Sequence, residues 1–154
     1  MAATFNFAES NGAGETVTFP VANLNFGSAD TPALTPASNP VAAGDNSFEK
    51  WLRGRFSGTF TSIANLRFFK SAGTFVTGEA IKAAADAGYV APVSTASVIA
   101  TVDVPITEGT ALTPADPSGN PGFSGYLTLQ LQTTVSTPPG AVNTKTFTIK
   151  YDET

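Results

Sequence analysis

Hydrophobic and polar positions alternate with period two along much of this chain. In residues 125–132, Leu127, Leu129 and Leu131 fall on one side and Thr128, Gln130 and Gln132 on the other. In residues 144–151, Phe147, Ile149 and Tyr151 share one side. Each pattern predicts a half-buried strand. The segment between them, 135–142, carries Pro138, Pro139 and Gly140. It reads as a turn, so the two strands are expected to pair antiparallel. Residues 4–8 and 15–19 flank Ser10-Asn-Gly-Ala-Gly14 and predict a hairpin. Further strands are expected at 23–26, 47–56, 58–63, 65–69 and 98–104, with a turn at 71–73. The proline-rich stretches 28–46 and 107–124 read as long loops, and ordered loops of that length usually carry function. Residues 79–88 break the pattern. Their alanine content, the Glu79–Lys82 spacing and Gly88 as a C-cap predict a short helix over 79–87.

Many short strands with Pro and Gly punctuation predict an all-β fold, a β-sandwich of Ig-like or jelly-roll type. The length of 154 residues suits one domain over 1–154, with 1–12 as an N-terminal arm.

The run Asn46-Ser-Phe-Glu-Lys-Trp-Leu-Arg-Gly-Arg-Phe56 does not alternate cleanly. On a regular strand, Phe48, Lys50, Leu52, Gly54 and Phe56 share one face and Glu49, Trp51, Arg53 and Arg55 the other. Either face turned inward buries charge, which is costly unless paired. A bulge at Gly54 would resolve the conflict. Trp51 then serves as a core anchor between sheets, or joins Arg53 and Arg55 in a contact surface, since Trp and Arg are enriched in binding hot spots.

Composition narrows the chemistry. The chain has no Cys and no His, which removes disulfides, thiolate metal sites and the usual nucleophile–histidine systems. The twelve acidic residues are scattered. Asp45, Asp103, Glu108 and Asp116 read as solvated loop acids. A calcium site at Asp116-Pro-Ser-Gly-Asn120 is conceivable, but a plain turn is the stronger reading. No cofactor, metal or catalytic residue is expected. A net charge of −4 argues against nucleic acid as a partner, even though basic residues interleave with Phe56, Phe60, Phe68 and Phe69. No stretch is apolar enough to span a membrane. Met1-Ala-Ala-Thr-Phe5 does not open a secretory signal, so synthesis in a cytoplasm is expected. Charged residues make up only 13%, which suits a surface partly covered by a partner. Residues 1–49 hold five acids and no base, while 50–70 hold five bases and no acid. These blocks can be solvated faces, or can pair within the fold or between neighbouring copies.

Asn46-Ser-Phe-Glu-Lys-Trp-Leu-Arg53, Phe56-Ser-Gly-Thr-Phe60, Asn65-Leu-Arg-Phe68, Lys70-Ser-Ala-Gly73 and the closing Thr146-Phe-Thr-Ile-Lys-Tyr-Asp-Glu153 resemble segments of small β-rich proteins from tailed bacteriophages. The likeness spans roughly residues 18–154. It implies a virion structural component similar to capsid decoration, or cement, proteins. The implied location is the capsid surface, and the implied partners are the major capsid protein and further copies of this chain, a trimer among the options. It also implies a strand, not a helix, near 79–88. Trp51, Arg53, Arg55, Pro32, Pro36, Pro117 and Phe123 are the expected contact residues. A tail, neck or baseplate component, and a carbohydrate- or receptor-binding module, are the alternatives. The last of these needs exposed aromatics among Trp51, Tyr89, Phe123 and Tyr126.

Overall fold

The computed structural model describes residues 2–140 and 143–154. The chain folds as an all-β sandwich. The larger sheet runs in the order β2 (Thr16–Thr18), β1 (Ala3–Asn11), β3 (Lys50–Gly58), β8 (Tyr126–Thr133), β5 (Glu79–Asp86), β6 (Val102–Asp103), with β7 (Gly122–Phe123) also on β3. The smaller sheet pairs β4 (Ile63–Ala72) with β9 (Thr146–Glu153). Among the described residues the one helical element is a 3-10 turn at Glu108–Thr110. Leu52, Phe56, Ile81, Ala83, Leu127, Leu129 and Leu131 of the larger sheet meet Ile63, Leu66, Phe68 and Ile149 of the smaller one in a single cluster. The alternation seen in the sequence thus marks the inward faces correctly.

The predicted hairpin at 4–19 forms: Glu9 stands opposite Thr18 and Asn11 opposite Thr16. The arm expected at 1–12 is therefore a paired strand over residues 3–11. It is in register with β3 from Ala3 opposite Gly58 to Ser10 opposite Trp51; Met1 lies outside the described residues. The helix expected at 79–87 is β5, an eight-residue strand fully paired with β8. Glu79, Ile81 and Ala83 face inward with period two, and partners on both sides supply the packing that an isolated short helix lacks.

β8 and β9 do not pair with each other. β8 lies between β3 and β5, so both its edges are already used, and β9 belongs to the other sheet. Their apolar faces meet across the sandwich instead. Ala141 and Val142 of the predicted 135–142 turn lie outside the described residues. Residues 23–26 form no strand, although Leu24 and Phe26 pack on the core. Of the expected strands at 58–63 and 98–104, only Gly58 at the end of β3, Ile63 at the head of β4 and Val102–Asp103 lie in strands.

The bulge lies opposite Gly54 rather than at it. β3 pairs with β1 without interruption. From Leu52 to Arg55 is three steps along β3, but their partners, Leu127 and Phe123, are four steps apart. The extra residue therefore sits in the facing strand, where Ser124 Oγ accepts from the Gly54 N–H. Gly54 is required by packing: a Cβ there would lie 2.9 Å from the Phe56 ring and 3.1 Å from the Phe5 ring.

Residues 87–101 cross the outer face of the larger sheet as a strap. Gln130 Nε2 donates to the carbonyls of Ser47, Thr95 and Ser97, at 3.0, 3.2 and 3.1 Å. The Glu49 carboxylate accepts from the Ile99 and Ala100 amides, while its second oxygen has no partner. Burial pushes Glu49 above the ordinary carboxylate range, against the lowering pull of those two amides. The folded state thus holds its proton more tightly than the unfolded chain does. This group disfavours folding at neutral pH, and stability is expected to rise as pH falls through its folded pKa towards 4.5. Glu49→Gln should remove that slope. Urea denaturation of both proteins between pH 4 and 8 checks it, and equal slopes would contradict it.

Candidate contact surface

The outer face of β3 presents Trp51, Arg53 and Arg55 in alternation. Three neighbouring segments place aromatic rings between them. The Arg53 guanidinium lies 4.6 Å from the centre of the Phe123 ring and 4.4 Å from that of Tyr126. The Arg55 guanidinium lies 4.5 Å from the Phe19 ring centre. Phe19 meets Phe123 edge-on at 6.2 Å. Trp51 closes the row against Tyr126 at 5.8 Å and Tyr89 of the strap at 5.3 Å, both edge-on. Cations over ring faces and edge-on aromatic pairs are each attractive, so the row is a rigid surface.

Glu15 fixes its middle. Its Oε1 accepts from Arg53 Nη2 at 3.0 Å, from Ser10 Oγ at 3.2 Å and from the Tyr126 hydroxyl. Burial, helped by that bond to Glu15, pushes Tyr126 up to about 12. Burial and the nearby charges of Asp30 and Glu15 push Tyr89 up to about 12 as well. Both phenols stay protonated at any ordinary pH.

The two ends of the row differ. Trp51 is 1% exposed, which makes it an anchor beneath the strap and not a contact residue. At the other end Phe19 is 45% exposed. Arg55 is half-buried and has no carboxylate partner among the described residues; its one side-chain hydrogen bond is to Ser57 Oγ at 3.4 Å. Of the expected contact residues, Arg53, Arg55 and Phe123 are thus brought together over Trp51. Pro32 and Pro36 lie in the 28–46 loop and Pro117 in the 107–124 loop. Phe19 was missed by sequence reasoning. It follows β2, and only the hairpin geometry carries it to Arg55.

Two residues of each of the acidic and basic blocks pair within the chain. Lys50 Nζ lies 2.8 Å from Glu9 and Arg53 lies 3.0 Å from Glu15. These pairs leave little for a salt-sensitive contact between copies through the same residues. Among the described residues no group of three or more carboxylates gathers to hold a metal ion. Asp116 instead accepts from the Leu66 amide at 3.3 Å. The chain matches no protein-family model, no curated protein and no solved structure.

Proposed function

We propose that the protein is a non-catalytic interaction module that works by burying its surface against other proteins. More particularly, it is a virion structural protein of a tailed bacteriophage that docks on the outer face of the capsid and reinforces it, with the major capsid protein as partner. The observation that carries this reading is the end of the Arg–aromatic row: an exposed Phe19 beside an Arg55 whose charge no carboxylate answers among the described residues. A flat ring and a forked cation held in place by their neighbours are the kind of group that dominates protein interfaces. The resemblance of residues 46–73 and 146–153 to phage virion proteins supplies the setting. Of the aromatics named for the carbohydrate-binding alternative, Trp51 and Tyr126 are buried and Tyr89 and Phe123 half-buried against their neighbours, which favours the protein-docking reading.

A ligand that binds only the assembled lattice stabilises it by its binding free energy, and symmetry multiplies weak contacts. Particles carrying the protein should therefore rupture and release DNA at a higher temperature than bare ones. Phe19→Ala with Arg55→Ala should weaken binding to particles roughly 30-fold, as a hot-spot pair of about 2 kcal/mol would, without shifting the melting temperature by more than a few degrees. Equal rupture temperatures with and without the protein would sink the capsid role. Localisation to the tail alone would replace it with a tail, neck or baseplate role.

A further inference from the structure

The smaller layer of the sandwich is incomplete. It consists of β4 and β9, with β4 capped on its far side by the 105–112 segment through bonds from Lys70 to Pro105 and between Phe68 and Leu112. Among the described residues, β9 has no backbone partner along Thr146–Tyr151 on the side away from β4. Alternate N–H and C=O groups of an antiparallel strand point away from its partner, so this edge presents unused donors and acceptors.

A cleft of about 510 Å³ lies beside the start of that edge, at Thr146 and Phe147 and the three residues before them. One wall is Asn143–Phe147 and the other is the extended segment Val21–Phe26. Its floor is the apolar inner face of the larger sheet: Phe7 of β1, Leu52 of β3, Leu131 of β8 and Ile81 of β5. Those four strands are neighbours, and strand spacing makes the floor about 14 Å wide across them. At one end the Lys145 ammonium and the Glu79 carboxylate are paired and buried, leaving the cleft no unanswered charge to attract an ion.

We propose that this cleft receives an extended segment of a partner protein, which adds a strand to the free edge of β9 and seats alternate apolar side chains on Leu52, Ile81 and Leu131. The occupant is specified by two features together. The unused backbone edge selects a peptide over a lipid or a small apolar molecule, since only a peptide answers a row of N–H and C=O groups. The uncharged apolar floor selects small aliphatic side chains at every second position. Pro36 and Ala22 lie at the rim, where the segment would enter. The proposal does not depend on the capsid reading, because it rests on the cleft and not on the Arg–aromatic row.

The probe is a capped pentapeptide of alternating valine and threonine, titrated into the intact protein to millimolar concentration. Amide hydrogen exchange of residues 144–150 is followed, and binding is read by chemical-shift changes. Protection of the β9 edge amides should rise at least about 10-fold at saturation, as newly made backbone bonds slow exchange. The same peptide N-methylated on alternate residues should fail to bind. Ala22→Trp, which fills the cleft from its exposed wall, should abolish binding while the melting temperature stays unchanged. Should Ala22→Trp unfold the protein, Asn23→Trp serves on the same wall. No added protection, or equal binding of the methylated peptide, overturns the proposal; the latter would leave only a greasy cavity. Particle binding measured beside it separates the two ideas. A protein that binds capsids but not the peptide refutes the strand alone, and the converse refutes only the capsid role.

Discussion

Replacing Lys50 with methionine is expected to destabilise the protein by about 3–5 kcal/mol, because it leaves the Glu9 carboxylate buried without its counter-charge. Lys50 and Glu9 are each 1% exposed. The Lys50 ammonium donates to Glu9 Oε1 at 2.8 Å and to the Thr31 carbonyl at 2.9 Å. Asn11 Nδ2 donates to the same Glu9 oxygen at 3.0 Å and to Asp30 at 2.7 Å. One ammonium thus ties β3 to β1 and both to the 28–46 loop. Two measurements check this. The urea midpoint should fall steeply in the single variant, and Lys50→Met with Glu9→Gln should recover much of the loss, since the stranded charge is gone. Protease cleavage within 28–46 should also accelerate once Thr31 loses its anchor. A single-variant loss below about 1 kcal/mol would mean that water reaches the pair and that its burial is not what holds the loop.

Phe56→Ala is expected to cost a similar amount, about 3–5 kcal/mol, as buried aromatic truncations do. Phe56 is 0% exposed. Its ring meets Tyr151 of β9 edge-on at 4.9 Å and Phe5 of β1 at 5.3 Å. It therefore joins the two sheets and two strands of the larger sheet at one point. Its loss leaves a cavity whose walls are held by separate sheets and cannot easily collapse. Tyr151→Ala, which removes a half-buried ring from the same contact, should cost less, and the double variant should fall short of the sum because the two share one contact. Urea denaturation gives all three values, with an unchanged slope as the sign of an intact fold. A Phe56→Ala loss under about 1.5 kcal/mol would show that the sheets are not locked together there.

Both residues lie in the segment that fits no simple alternation, and the reason is now physical. Glu49 immediately precedes β3 and Lys50 opens it, so their side chains turn to opposite sides of the sheet, and both are buried. Each is compensated separately: Lys50 by Glu9 on the inner side, Glu49 by the amides of the strap on the outer side. A strand covered on both faces need not alternate.

By itself the sequence determined which side chains turn inward and that the fold is built of strands. The period-two pattern in 127–131 and 147–151 places Leu127, Leu129, Leu131 and Ile149 in the core, where they are found. A side-chain period fixes a face, because it is a property of the extended backbone alone. It does not fix a partner, because pairing depends on which edges are free once the whole chain has assembled. That is why β8 and β9, whose patterns and connecting turn predict an antiparallel pair, lie in different sheets, and why an alanine-rich stretch with local helix propensity is a strand between β8 and β6. The contact surface divides in the same way. Arg53 and Arg55 are legible as a pair on one face, since they lie two positions apart on one strand. Phe19, Glu15 and Tyr89 reach them from other segments. So does the cleft beside β9, whose floor comes from four strands and whose walls come from two more segments. Contacts between residues so far apart along the chain are decided by sheet order, and sheet order is a property of the tertiary structure alone.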